Sequence, residues 1–120
     1  MDTINVLKPE FNETNENRFG PARIEHRTAH SGLSELGTYF MTFDQVGHSD
    51  PWTLRYEETV YVLEGHVEII VVDGEGEHVT SGEQGELVVL PKGITVRYGG
   101  APGTRLLLSI SPVNWRELAR

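Results

Sequence analysis

From Leu36 onward the chain is a succession of short apolar or alternating runs, interrupted at close intervals by Gly, Asp, Pro and Ser. That texture leaves no room for long helices. Runs rich in Val, Ile, Leu, Tyr and Thr suit a pleated, half-buried surface, and many short strands with turn residues between them argue for a sandwich or barrel. The expected strands are Gly37–Phe43, Trp52–Tyr56, Glu58–Leu63, Val67–Val72, Glu77–Thr80, Glu86–Leu90, Thr95–Tyr98 and Thr104–Ile110. Residues 1–36 lack this periodicity and read as an irregular arm, with one short strand around Ala22–His26. The segment Ser111-Pro112-Val113-Asn114-Trp115-Arg116-Glu117-Leu118 reads as a short C-terminal helix with a Ser–Pro start. It places Trp115 and Leu118 three apart, and Trp115 would plug one end of the barrel.

At 120 residues the chain has the size of one domain that buries a core unaided. The division expected is an arm over 1–36 and a β-barrel over 37–120. With no cysteine, disulfides, thiolate metal sites and cysteine nucleophiles are all excluded. No apolar stretch approaches the roughly 20 residues that cross a bilayer, and Met1–Lys8 lacks the layout of a secretory signal. A cytoplasmic protein is expected. The net charge is −8 and the basic residues are scattered. Phosphate backbones and anionic membranes both require a basic patch, so neither nucleic acid nor membrane is an expected partner.

Two segments are more specific. In Glu58-Thr59-Val60-Tyr61-Val62-Leu63-Glu64-Gly65 a strand runs from a glutamate to a tight Glu-Gly turn. In Gly85-Glu86-Leu87-Val88-Val89-Leu90-Pro91-Lys92-Gly93-Ile94-Thr95-Val96 a glycine turn opens a strand, Pro-Lys-Gly reverses it, and another strand follows. A hairpin turning at Asp73-Gly74-Glu75-Gly76 lies between them. In order and offset these segments resemble the two sequence blocks of the cupins. The implied fold is all-β: a single-domain cupin, a double-stranded β-helix or jelly-roll barrel.

Metal-binding cupins place His-x-His and a glutamate in the first block and a further His in the second. Laid onto this chain, those positions are Pro51, Thr53, Glu58 and Val96, and only the glutamate is a strong ligand. First-row metals favour imidazole over a threonine hydroxyl, so no cofactor is expected, and any divalent metal would need ligands other than the usual histidines. Of the five histidines, His66 and His78 belong to turns and hairpins, and His26 and His30 to the arm. His48 either reaches the barrel mouth or is an exposed loop residue.

Strand alternation then nominates a pocket of Phe43, Trp52, Thr53, Tyr56, Val60, Val96 and Tyr98 around Glu58. A carboxyl inside an apolar barrel has a raised pKa and can act as a general acid or base. Equally, Glu58 pairs with a buried donor such as Tyr98, Thr53 or an arginine and holds the core together.

The run Pro51-Trp52-Thr53-Leu54 followed by Tyr56-Glu57-Glu58, then Leu63-Glu64-Gly65, Pro91-Lys92-Gly93 and Pro112-Val113-Asn114-Trp115, resembles the EutQ family of ethanolamine-utilisation proteins. The likeness spans roughly residues 37–116. It implies association with metabolosome enzymes, and an acetate kinase activity is attributed to the family. The residues offer no phosphate loop of the Gly-x4-Gly-Lys-Ser/Thr kind; of the available cations Lys92, Arg97 and Arg105, Lys92 and Arg97 read as solvated. The expected function is binding of a small polar or carboxylate metabolite in the barrel. The alternative is an enzyme (lyase, isomerase or acetate-kinase-like) with Glu58 as its acid–base residue. The cupin resemblance implies a homodimer, since cupins of this size commonly pair through an edge strand or exposed sheet face, and open edge strands need covering.

Overall fold

The computed structural model describes residues 5–118; the first four residues of the expected arm and the last two of the chain lie outside it. Ten strands form two antiparallel sheets. The larger joins β1 (Glu16–Phe19), β2 (Ala22–His26), β3 (Gly37–Phe43), β10 (Arg105–Ser111), β5 (Glu57–Glu64) and β8 (Leu87–Leu90), in that spatial order. The smaller joins β4 (Trp52–Thr53), β9 (Thr95–Gly100), β6 (His66–Asp73) and β7 (Gly76–Glu83). From β3 to β6, and again from β7 to β10, successive strands alternate between the two sheets, as in a jelly roll.

The core follows from side-chain alternation. On β10, Leu106, Leu108 and Ile110 are buried while the residues between them are half-exposed. Across the ladder they meet Val62, Val60 and Glu58 of β5 on one side, and Met41, Tyr39 and Gly37 of β3 on the other. Val67, Ile69, Val96 and Tyr98 close the core from the smaller sheet. Each such aliphatic side chain contributes about 1.5–3 kcal/mol on burial.

The expected strand around Ala22–His26 is β2. It pairs with β3 along its length, and β1 pairs with β2 in turn. The barrel sheet therefore extends into the segment read as an arm. Glu25 helps hold that extension: it is buried, and its carboxylate accepts from the Asn12 backbone and the Arg27 guanidinium.

The expected C-terminal helix is replaced. β10 continues through Ser111, which pairs with Glu57, and the Val113 amide donates to the Glu35 carbonyl. With its backbone so engaged, the segment keeps only a 3-10 turn over Trp115–Glu117, too short to sustain an α-helix. Trp115 is still buried, as expected of it.

Candidate functional site

At one end of the barrel the core opens into a cavity of about 260 Å³. β5 delivers Glu58, β9 delivers Tyr98, and β3 delivers Tyr39 and Met41; Trp52 and Tyr56 flank the first turn of the block that begins at Pro51. The C-terminal turn adds Trp115 and Arg116, and the N-terminal hairpin adds Phe19 and Ile24. Aromatic rings dominate. Phe19 packs edge-on against Trp52 and Tyr98, with centroids 5.7 and 5.6 Å apart, and Trp52 does the same against Trp115 at 5.8 Å.

Glu58 is 4% exposed. Its Oε1 accepts a hydrogen bond from the Tyr98 hydroxyl at 2.6 Å. Burial lifts its pKa from the ordinary 4.5 to about 7, against the opposing pull of that hydrogen bond. Burial and the neighbouring Glu58 charge also raise the phenols of Tyr98 and Tyr56, so both stay neutral across the physiological range. The Tyr56 hydroxyl accepts from the Trp52 indole at 2.8 Å.

Of the nominated residues, Trp52, Tyr56 and Tyr98 line the cavity with Glu58. Thr53 does not: it is exposed, and its hydroxyl hydrogen-bonds that of Thr95 across the β4–β9 pair at 2.6 Å. Burial alternates without a break from Trp52 through Leu54, Tyr56 and Glu58 to Val62, so a residue five before Glu58 must face outward. Phe43, Val60 and Val96 point inward as expected but lie in the packed core and do not line the cavity. Phe43 lies towards the other end, near Gly100.

Sequence reasoning missed Phe19, Ile24, Tyr39, Met41 and Arg116. The alternation Tyr39-x-Met41-x-Phe43 carried part of the signal; the choice of Phe43 took the right face at the wrong level. Phe19 and Ile24 were hidden because their strands belong to the segment taken as an arm.

The histidines lie elsewhere. His48 contacts Glu68 at 3.0 Å on the outside of the smaller sheet, His66 pairs with Glu83, and His78 lies 3.5 Å from Asp73. His26 stacks on Tyr39 with centroids 4.3 Å apart, and its Nε2 is buried without a hydrogen-bond partner. Burial, with the charges of His30 and Arg116, lowers its pKa. Among the described residues, the cavity's oxygen and nitrogen groups are one carboxyl, three phenols, two indoles and the Arg116 guanidinium. This set does not suit the metal of His-bearing cupins, which calls for convergent imidazoles. The one group of described acidic and histidine side chains close enough to share an ion is Asp73, Glu75 and His78, all exposed on the β6–β7 hairpin.

A two-sheet jelly roll with its cavity at one end of the barrel defines a cupin, and comparison with known structures agrees. An RmlC-like cupin from Shewanella frigidimarina superposes with a TM-score of 0.69 over 94% of this chain and 97% of that one, at 18% identity. The chain belongs to the EutQ family: residues 24–117 match the family described as ethanolamine utilisation protein EutQ. The Salmonella typhimurium protein named acetate kinase EutQ is 33% identical over 71% of this chain and 34% of its own length. The EutQ structure from Clostridium difficile aligns with a TM-score of 0.72 at 24% identity, over 94% of this chain and 80% of that one. The chain thus spans about a third of the length of the curated relatives it matches.

Proposed function

We propose that this EutQ-type barrel binds a small polar or carboxylate-bearing metabolite without a histidine-held metal, and that Glu58 is the group that recognises it. One observation carries the reading: a single acid sits in an aromatic-lined cavity with one oxygen held by Tyr98 at 2.6 Å and, among the described residues, no donor on the other. A cavity of mostly apolar wall with few, well-placed polar groups is the usual form of a small-molecule site. Its test is a thermal-shift screen of small alcohols, acids and amines on the wild type and on Glu58→Gln, with elemental analysis of protein purified without chelator or affinity-tag metal. A ligand that raises Tm in the wild type but not in the variant, with no stoichiometric metal, supports the reading. Equal shifts in both proteins, or near-stoichiometric metal that Glu58→Gln abolishes, overturns it.

A second reading makes the barrel an enzyme. It is favoured by the Glu58 pKa of about 7, where a general acid or base works best at neutral pH. The relatives' name, acetate kinase, adds phosphoryl transfer to the lyase and isomerase chemistries open to such a group. Phosphoryl transfer needs cationic clamps and a divalent ion. Lys92 is exposed in its turn, Arg97 is engaged by the Ser49 carbonyl and Glu77, and Arg105 faces Glu64; none lines the cavity, whose single cation among the described residues is the exposed Arg116, one group where a clamp needs several. Lyase or isomerase chemistry is therefore the better-supported form. A coupled assay with acetate and ATP, run on wild type and Glu58→Gln, decides the kinase form: turnover lost in the variant supports it.

We also read the protein as a cytoplasmic homodimer that associates with metabolosome enzymes. The dimer has one physical support: β8 is an edge strand whose Leu87 and Val89 are 58% and 68% exposed, the kind of edge proteins cover. Light scattering on Val89→Lys tests it, with a shift to monomer expected.

A further inference from the structure

We infer that the cavity selects a small organic ammonium ion, with its charge against the open oxygen of Glu58 and its carbon atoms among the rings of Trp52, Tyr56, Phe19 and Tyr98. This rests on the reading of the barrel as a small-molecule site and decides the ligand's charge.

Three observations point the same way. Glu58 is the one acid lining the cavity, and no cationic side chain among the described residues pairs with it. Arg116, the cation of the lining, is exposed and lies over the Trp115 ring at 4.1 Å, outside the buried row that holds Glu58. Next, the walls are π-systems. Cations are attracted to the faces of Trp, Tyr and Phe, and Trp115 already carries two guanidinium groups, those of Arg116 and, at 4.8 Å, Arg55. Finally, the single acid determines which ligands keep the cavity neutral. An ammonium ion replaces the proton of Glu58 and leaves a neutral pair. A carboxylate would set two acids together, only one of which can ionise.

The groups facing Glu58 do not change this balance. Tyr98 on β9, Tyr56 before β5 and Tyr39 on β3 are phenols with raised pKa values. Its ladder partners Leu90 and Ile110 are apolar. Binding of an ammonium ion therefore expels the proton from Glu58 and strengthens as pH rises through about 7. Binding of a carboxylate does the reverse.

Three probes of near-equal size test this: propylammonium, propanol and propionate, titrated calorimetrically into the purified protein at pH 6 and pH 8. Propylammonium is expected to bind tightest, about tenfold more tightly at pH 8 than at pH 6, with proton release visible as a dependence of the heat on the buffer. Glu58→Gln, which mimics the neutral acid, abolishes that preference. Lys92→Gln, in an exposed turn that does not line the cavity, leaves propylammonium binding intact. If propionate binds tightest, improves at pH 6 and is lost with Arg116→Gln, the cavity is an anion site; the ammonium inference fails and the small-molecule reading stands. If propanol binds as well as propylammonium at both pH values, charge selection is absent and the inference fails alone. Failure of all three probes overturns the inference, and the wider screen then judges the small-molecule reading.

Discussion

The Tyr98 hydroxyl donates to Oε1 of Glu58 across the inside of the barrel, at 2.6 Å. Tyr98 stands on β9 of the smaller sheet and Glu58 on β5 of the larger, so this one bond ties the two layers together at the floor of the cavity. It also sets an unusual electrostatic condition, because this buried acid has a hydrogen-bond donor but, among the described residues, no counter-charge.

Folding stability is expected to fall with pH because of Glu58. Its folded pKa, about 7, exceeds its ordinary value of 4.5, so the folded state binds the proton more tightly than the unfolded chain does. The resulting stabilisation is complete below pH 4.5 and is lost as pH rises to about 7. At about 1.4 kcal/mol for each pH unit, the loss is roughly 3 kcal/mol. Urea titrations at pH 5 and pH 8 should show this contribution in the wild type and not in Glu58→Gln, which should be the more stable protein at pH 8. A wild type and variant with parallel pH profiles would refute the assignment.

Tyr98→Phe removes the bond that holds the carboxylate form down. The Glu58 pKa should move above about 7, read as the midpoint of its carboxyl carbon signal by NMR. The variant should also be destabilised by about 1–3 kcal/mol at pH 8, where a buried carboxylate has lost its donor. An unmoved midpoint would mean that burial alone sets the pKa.

Two turn glycines should differ in their cost. Gly93, in the Pro-Lys-Gly turn, has φ +96° with open space where a side chain would go. Gly93→Ala therefore costs backbone strain only, about 1–2 kcal/mol. Gly65, in the Glu-Gly turn, has φ +84°, and a Cβ there would lie 2.9 Å from the Thr104 Cα and 2.5 Å from its Oγ1. Gly65→Ala should cost clearly more, because main chain must shift as well. Denaturation midpoints measured side by side check the order, and equal costs would contradict the close approach.

Chelation should leave the barrel unaffected. Treatment with EDTA is expected to change neither Tm nor the ligand-induced shift, since the cavity's polar groups are one carboxyl, phenols, two indoles and an exposed guanidinium. A fall in Tm that zinc or manganese reverses would locate a functional ion and redirect attention to the exposed Asp73, Glu75 and His78.

Much of the architecture was legible from local pattern. Apolar alternation and turn residues located β3 and the β6–β7 hairpin, and the same alternation turned Glu58 inward together with Val60 and Val62. The errors have physical origins. Thr53 was aligned inward by analogy with a ligand position, whereas the chain keeps a strict two-residue period from Trp52 to Val62 and turns Thr53 to solvent. The C-terminal segment had a helical start signal, yet its backbone is drawn into pairing with Glu57 and Glu35.

The sequence by itself determined most of the strands and turns and the identity of the acid that faces the cavity, because these depend on period-two burial and on glycine-dependent backbone angles that are local properties. Only the tertiary structure decided which inward residues share a cavity. Phe19 and Tyr98 are far apart in the chain but stand with ring centroids 5.6 Å apart, and Trp115 closes on Trp52 from the other end of the sequence. A strand's alternation says which face a side chain takes. The level it reaches in the barrel, and what meets it there, depend on register and on how the two sheets stack.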